Sequence, residues 1–231
     1  MKWNKLINLS QRKFPFGNSA DISDCHSHPA FKIFWIGNTG VCAVEAAVKK
    51  GLNVRAFLRD PAKLPDHLRN SVEVVQGNVL NYKDVLNAIK NVTAVVVVLG
   101  TRNDLKPSTD MSEGLKNIIQ AMKELSVEIV SVCLSAFLFR QPEEVPAIFK
   151  DINADHQRML DLLKASNLKY IAVFPPHIAD EPGTDYCVKH DESPGGRVIS
   201  KWDLGRFLVD CLSQPEHYGK VVGICTKPNQ S

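Results

Sequence analysis

The sequence predicts a doubly wound α/β domain, in which helices cover both faces of a mainly parallel sheet. After residue 30, short apolar runs rich in β-branched residues alternate with segments of helical spacing, as expected of strands joined by crossover helices. The run TAVVVVLG (residues 93–100) is apolar at nearly every position, which is typical of a parallel strand buried on both faces. The length of 231 residues suits one domain with a sizeable core.

The apolar runs and the helix-ending residues set the predicted boundaries. The predicted strands are Lys32–Ile36, Asn53–Leu58, Ser71–Val75, Ala94–Leu99, Glu128–Leu134, Tyr170–Phe174 and Val221–Cys225. The predicted helices are Thr39–Lys50, Tyr82–Lys90, Met111–Glu124, Ala154–Ala165 and Lys201–Ser213. The first helix shows the logic, because Val41, Ala47 and Val48 share one face and Gly51 follows as a natural C′ residue.

The domain is expected over residues 31–226, with a flexible leader at 1–30 and a tail at 227–231. The leader is basic and has no acidic residue before Asp21. A mitochondrial presequence is the alternative interpretation of such a start, whereas a secretory signal is not, because the apolar central region of a signal peptide is missing.

Composition narrows the class of protein. A formal charge of +3 is too small to indicate nucleic-acid or membrane binding, and the longest apolar run is too short to span a bilayer. The six cysteines have no C-x-x-C spacing, which favours reduced thiols in a cytoplasmic protein. Cys25, His26 and His28 lack further ligands at a fixed spacing, so we expect no metal.

Two segments rich in Pro, Gly and charge follow predicted strands, at Phe137–Asn153 and His177–Arg197. Ligands bind open α/β sheets at the carboxyl ends of the strands. We therefore expect these segments to form the walls of a substrate site.

A short glycine turn, Gly37-Asn38-Thr39-Gly40, joins the first predicted strand to the first helix. Glycines at this junction let backbone N–H groups approach a pyrophosphate, and the helix N-terminus favours its charge. Two glycines alone are weak support, but their place between a strand and a helix strengthens the prediction of a dinucleotide site.

Arg59 stands roughly 20 residues past the turn, where an NAD site has an acidic residue. An arginine there can pair with a 2′-phosphate, so the position favours NADP over NAD. Lys63 is a second candidate cation. The alternative is a solvated basic residue at the start of a helix.

Several other predicted strand ends meet at the same edge. Their candidate ligand residues are Gly77, Asn78 and Val79 after the third strand, Leu99, Gly100, Thr101 and Arg102 after the fourth, Ser135 and Ala136 after the fifth, and Pro175, Pro176 and His177 after the sixth. Among them, the amide of Asn78 is a candidate for the adenine edge, and Gly100 allows the backbone to approach a cofactor.

The strings LGTRNDLKPSTDMSEGLKNIIQAMK, LSAFLF, LKYIAVFPPHI and GGRVISKWDLGRFL resemble the NADPH-dependent flavin reductase (biliverdin-IXβ reductase) family. That family is an atypical branch of the short-chain dehydrogenases, with an NAD(P)-binding Rossmann fold. The similarity runs from about Gly37 to about Tyr218, and the strings match in order, so it is far more specific than the glycine turn.

The resemblance implies a set of residues for each ligand. Those expected to border NADPH are Thr39, Arg59, Asn78, Val79, Leu99, Gly100, Arg102, Ser135, Pro176, His177 and Ile178, with Gly37, Asn38, Gly40 and Thr101 added from the strand ends. Phe137 and the loop after it are expected to border a flat substrate, with Ala136 and Arg197 beside it. Ser135 and His177 are the candidate catalytic residues, although each is also explicable as a structural residue. The resemblance further implies a monomer.

A Tyr-x-x-x-Lys pair is missing, because no tyrosine has a lysine four residues on. A flavin accepts hydride directly and spreads the charge over its rings, so a strong general acid is not required. Stacking and orienting two flat rings is then the main task of the protein. We expect a reductase of flavins (FMN, FAD, riboflavin) and of biliverdin IXβ, with the flavin as substrate rather than as a tightly bound cofactor.

The sequence departs from the family at the turn, which in the family reads G-A-T-G-x-T-G. With the helix end as anchor, Phe34 takes the place of the first glycine, followed by Trp35 and Ile36. Aligning the strand instead shortens the helix by three residues. A bulky residue in the tight turn is expected to crowd the pyrophosphate. A non-catalytic binding or sensor protein with an impaired dinucleotide site is therefore the alternative function.

Overall fold

The computed structural model describes residues 30–35, 38–101 and 106–227, and the side chains of residues 39–101 and 106–227. The strands are β1 (Ala30–Trp35), β2 (Asn53–Leu58), β3 (Glu73–Gln76), β4 (Ala94–Val98), β5 (Ile129–Cys133), β6 (Lys169–Phe174), β7 (His177–Ala179), β8 (Tyr186–His190), β9 (Val198–Ser200) and β10 (Lys220–Thr226). The helices are α1 (Asn38–Lys49), α2 (Asp66–Arg69), α3 (Tyr82–Ile89), α4 (Asp110–Glu124), α5 (Lys150–Lys164) and α6 (Lys201–Asp210).

One eight-stranded sheet organises the domain, in the order β3-β2-β1-β4-β5-β6-β10-β8. Seven of its strands are parallel, and β8 at the edge runs antiparallel to β10. The strand order reverses between β1 and β4, which in open α/β sheets creates the crevice where ligands bind. The predicted doubly wound α/β fold is confirmed.

Apolar layers cover both faces of this sheet, and β4 shows how they are divided. Val96 and Val98 belong to the layer that contains the buried residues of α1 and α6. Val95 and Val97 belong to the layer on the other face, with the buried residues of α3, α4 and α5. The uninterrupted valine run is explained, since alternate residues of a strand point to opposite faces.

β1 is a regular central strand even though it lies where the family pattern breaks. Phe34 is in register with Phe57 of β2, and Trp35 is in register with Val98 of β4. Both aromatic residues belong to the strand, as the predicted strand Lys32–Ile36 has them, although the alignment with the family puts Phe34 at the place of a turn glycine. Only residues 36 and 37, which lie outside the described residues, separate β1 from α1.

The segment His177–Arg197, predicted as a loop wall, contains more regular structure than expected. It holds β7, β8 and the residue before β9, and β7 pairs in parallel with β9 to form a separate two-stranded sheet. Three-residue strands show too little alternation to be recognised in the sequence. The other predicted wall consists of short 3₁₀ turns that lead into α5 at Lys150.

The helices described here include none that is long and apolar enough to cross a membrane. Within the same residues, no three His, Cys, Asp or Glu side chains group as metal ligands do.

Close packing against α6 fixes the position of the N-terminal half of α1. A Cβ atom on Gly205 of α6 would lie 2.7 Å from the backbone N of Ala43 and 2.7 Å from the backbone C of Cys42. Backbone atoms cannot rotate away from such a contact, so only glycine allows this approach.

We therefore expect Gly205→Ala to lower the free energy of unfolding by about 1–3 kcal/mol, the usual range for an overpacked core. The measurement is urea denaturation followed by circular dichroism. An unchanged midpoint and slope would show that α1 and α6 are not held at this distance.

Candidate functional site

A cavity of about 420 Å³ lies at the carboxyl edge of the sheet, where β2, β3 and β4 end beside the start of α4. Six of the residues predicted to contact a cofactor line it: Arg59, Asn78, Val79, Leu99, Gly100 and Thr101. These residues follow three different strands, so the parallel sheet is what brings them together.

Arg59 supplies an available positive charge to this cavity. Its backbone carbonyl accepts a hydrogen bond from Gln76 Nε2 at 3.2 Å, which ties the end of β2 to β3. The side chain is exposed, and its guanidinium has no hydrogen bond or ion pair to another residue in the described part of the chain. A guanidinium with unused donors is suited to a phosphate. Lys63 does not line the cavity.

The Asn78 side chain makes a hydrogen bond within its own turn, and this bond determines which of its polar groups remains available to a ligand. Its Oδ1 accepts from the backbone N–H of Leu80 at 3.1 Å, and its backbone N–H donates to Asp84 Oδ2 at 3.0 Å. The side-chain oxygen is therefore engaged locally. The Nδ2 hydrogens are left as donors toward the cavity.

Two residues of α4, which the sequence analysis missed, hold the wall next to Asn78. A Cβ atom on Gly114 would lie 2.8 Å from Val79 Cγ1, and Asn117 Nδ2 donates to the Val79 carbonyl at 2.9 Å. A glycine within a helical pattern often marks such a close approach. The glycine in the string MSEGLKN could therefore have indicated this contact from the sequence.

The opposite wall, residues 106–111, is fixed by a carboxylate from α5. Asp155 is 1% exposed, and its Oδ2 accepts from the backbone N–H groups of Met111 at 3.1 Å and Ser112 at 3.4 Å. Arg158 donates to Asp155 Oδ1 at 3.1 Å and to the Ser108 carbonyl at 2.9 Å. Asp155 thus satisfies free N–H groups at the start of α4. Thr109, which holds the N-cap position of α4, makes no side-chain cap.

The walls carry charge of both signs. Lys106 and Asp110 both line the cavity with Arg59, and Asp110 precedes the N–H groups that Asp155 caps. Among the described residues that line the cavity, two are basic and one is acidic, a composition that suits an anionic ligand.

A second group of predicted residues lies farther along the same edge, at the ends of β5 and β6. Ser135 Oγ accepts from the Phe137 N–H at 3.2 Å, and the Ala136 N–H donates to the Pro175 carbonyl at 2.9 Å. Ser135 therefore caps the 3₁₀ turn that follows it, and its hydroxyl proton stays available to an acceptor. The capping role matches the structural alternative for this serine.

His177 and Arg197 are joined through their backbones, because the His177 N–H donates to the Arg197 carbonyl at 3.2 Å. His177 is exposed, and the next residue, Ile178, is half-buried opposite Ile199 of β9. Pro176 leads from β6 into this pair. None of these residues lines the cavity beside Arg59.

The distance between the two groups follows from the strand order. Four strand spacings separate β2 from β6, which is about 19 Å at the usual spacing.

Along that edge, α1 begins at Asn38 directly after β1, and its first turn contains no acidic residue. Thr39 is half-buried and Gly40 is buried. Gly37 and Arg102 were predicted as ligand residues and lie outside the described residues.

An aromatic pair stands beside the second group. The rings of Phe137 and Phe149 are stacked, with centroids 5.2 Å apart and planes at 27°. The guanidinium of Arg140 lies 5.4 Å from the Phe137 ring centroid. Phe149 lies within the segment Phe137–Asn153 that was predicted as a substrate wall, but it was not singled out, since it belongs to no periodic pattern.

The residues present fit a dinucleotide with an extra phosphate. The fit rests on the cationic cavity with the unpaired Arg59 guanidinium, on the acid-free start of α1, and on the reversal of strand order between them. Together these define a nucleotide-binding domain of the Rossmann type.

Comparisons with known proteins agree with this class. The model of a family described as NAD(P)H-binding matches residues 36–215. The chain therefore belongs to this NAD(P)H-binding family.

Solved structures share the fold at low sequence identity. A Rossmann-fold NAD(P)-binding family protein from Shigella flexneri is 22% identical, with a TM-score of 0.70 over 89% of this chain and 98% of its own. ChuY, an anaerobillin reductase from Escherichia coli, is 16% identical, with a TM-score of 0.73 over 87% and 98%. A short-chain dehydrogenase/reductase from Veillonella parvula in complex with NADP is 14% identical, with a TM-score of 0.70 over 87% and 95%. The chain thus has the fold of NAD(P)H-binding oxidoreductases.

His156 on α5 has an unusual environment next to the Asp155 cap. Its Nδ1 is buried and has no hydrogen-bond partner in the described part of the chain. Burial lowers the pKa of His156 from 6.5 to about 4, against the opposing charge of Asp155. Protonation therefore costs more in the folded protein than in the unfolded chain.

The lowered pKa of His156 predicts that the folded protein loses stability in acid. The stabilising contribution of neutral His156 is complete above pH 6.5 and is lost as the pH falls toward 4, because the unfolded chain binds the proton first. The loss amounts to about 3 kcal/mol at the acid end. Burial also lowers the pKa of His217, which adds a loss of the same sign.

Urea denaturation between pH 7.5 and 4 tests this expectation. His156→Gln should flatten the decline in unfolding free energy below pH 6.5, whereas the same change at exposed His67 should leave it intact. Identical pH profiles for wild type and His156→Gln would contradict the assignment.

Proposed function

We propose that the protein is an NADPH-dependent reductase of flavins (FMN, FAD and riboflavin), with biliverdin IXβ as a second substrate. The observation that carries the proposal is the guanidinium of Arg59 in the cavity at the end of β2, which has no partner among the described residues. Arg59 occupies the position at which NAD-specific members of this fold have an acidic residue. The 2′-phosphate of NADPH is the ligand group that suits it.

Different residues of the chain would bind different parts of the cofactor. Arg59 pairs with the 2′-phosphate, and the Nδ2 group of Asn78 donates to the adenine edge. The start of α1 at Asn38–Gly40 faces the pyrophosphate. When bound, NADPH supplies the hydride.

The second group of residues would receive the acceptor. The stacked Phe137 and Phe149 rings offer an aromatic surface on which a flavin or a bilin can stack. The hydroxyl proton of Ser135 is available for a hydrogen bond, since its oxygen is already engaged by Phe137 N–H. Exposed His177 and nearby Arg197 can meet a phosphate or a propionate.

The missing Tyr-x-x-x-Lys pair supports a flavin over a simple carbonyl substrate. A carbonyl needs a proton donor as its oxygen gains charge, and that is the role of general acids. A flavin ring spreads the charge, so positioning is sufficient. The fold is shared with a protein described as an anaerobillin reductase from Escherichia coli, which supports a bilin as the second substrate class.

A non-catalytic binding or sensor protein is the second candidate. Its support is the sequence from Phe34 to Gly40, which has two glycines where the reductase family has a turn with three. Fewer backbone N–H groups would then reach the pyrophosphate.

The test is FMN-dependent oxidation of NADPH by the purified protein. We expect turnover with NADPH well above that with NADH. Arg59→Gln should raise the KM for NADPH by about 10- to 100-fold, the value of one charged hydrogen-bonding group, while the KM for NADH changes little.

Lys123→Gln is the matched control, because it removes the same charge at the far end of α4 and should change neither constant. Absence of FMN-dependent turnover in the folded wild type would refute the reductase. Equal loss of NADPH and NADH use in Arg59→Gln would refute the role of Arg59.

A further inference from the structure

Two thiols face each other across the edge of the sheet, away from the cavity beside Arg59. Cys187 of β8 lies directly opposite Cys225 of β10 in the antiparallel register. Their Sγ atoms are 3.3 Å apart, and both thiols are free. The sheet itself therefore sets this proximity.

The register places the two backbones at a distance that a disulfide can span. Flanking bonds from the Asp191 N–H to the Val221 carbonyl and from the Lys227 N–H to the Asp185 carbonyl identify Cys187 and Cys225 as a hydrogen-bonded pair. Such pairs have Cα atoms about 5.5 Å apart. Disulfides join Cα atoms between about 4.4 and 6.8 Å apart.

The two thiols differ in how easily a reagent reaches them. Cys187 is half-buried, whereas Cys225 is 1% exposed. Burial raises the pKa of Cys225 to about 11. The greater accessibility of Cys187 favours reaction at this thiol first.

We propose that Cys187 and Cys225 form a redox-active dithiol, in which Cys187 reacts with a small disulfide such as oxidised glutathione and Cys225 resolves the adduct. The Cys187 thiolate attacks one sulfur of oxidised glutathione, and the released glutathione thiolate takes up a proton. Cys225 then gives up its proton and attacks Cys187 Sγ, and the second glutathione leaves. Two protein thiols are oxidised and one oxidised glutathione becomes two reduced molecules.

The dithiol also touches the segment that carries Arg197. A Cβ atom on Gly196 would lie 2.5 Å from Cys225 Sγ, so the Gly196 backbone packs on this thiol. The next residue, Arg197, accepts the hydrogen bond from His177. The disulfide would therefore form in contact with the segment that leads into β9.

The test is to incubate the reduced full-length protein with oxidised glutathione, alkylate the remaining thiols, and measure intact mass and peptide maps. We expect the wild type to lose two alkylatable thiols, to retain no glutathione, and to yield one cross-linked peptide joining Cys187 to Cys225 that a reductant releases.

The variants separate the two roles. Cys225→Ser should trap one glutathione on Cys187, and Cys187→Ser should leave Cys225 unreacted. Cys42→Ser changes a buried thiol elsewhere, and Cys25→Ser changes a residue outside the described part of the chain. Both should retain the two-thiol loss. Full alkylation of the treated wild type, stable glutathione on its Cys187, or a disulfide that includes Cys25 would overturn the proposal.

Discussion

Pairing of β1 with both β2 and β4 is the constraint on which the rest of the domain depends. These two ladders put the reversal of strand order at the centre of the sheet. They also place the start of α1 between the cavity beside Arg59 and the residues that follow β5 and β6. Without β1, the other strands could still pair, but no crevice would face the helix N-terminus.

The walls of the cavity beside Arg59 are held in place by residues that do not line it. The buried carboxylate of Asp155 caps α4 across the helix pair and, through Arg158, holds the carbonyl of Ser108. Gly114 lets the same helix approach Val79. One helix therefore positions both walls of the cavity. The Arg59 guanidinium, which has no partner among the described residues, stays available for a ligand.

Much of the fold was predictable, because the informative patterns were local. Asn53–Leu58 was predicted with both boundaries correct, since an apolar run bounded by polar residues defines a strand. The position of Arg59 followed from its spacing to the turn. Both predictions use residues that are close in sequence.

The remainder depends on contacts between distant residues. Asp155 meets the start of α4 from 44 residues away, and no local pattern marks it as a cap. β7 and β9 are too short to show a period. For β1, the aromatic residues suggested a crowded turn, whereas the ladders to β2 and β4 keep them in the strand.

Direct titration of the purified wild-type protein with NADPH, followed by calorimetry, tests the central claim that this edge of the sheet binds a 2′-phosphorylated dinucleotide. We predict saturable binding at one site, at least about tenfold tighter than for NADH, as expected from one charged hydrogen-bonded contact. A folded protein that binds neither nucleotide, or binds both equally, would contradict it.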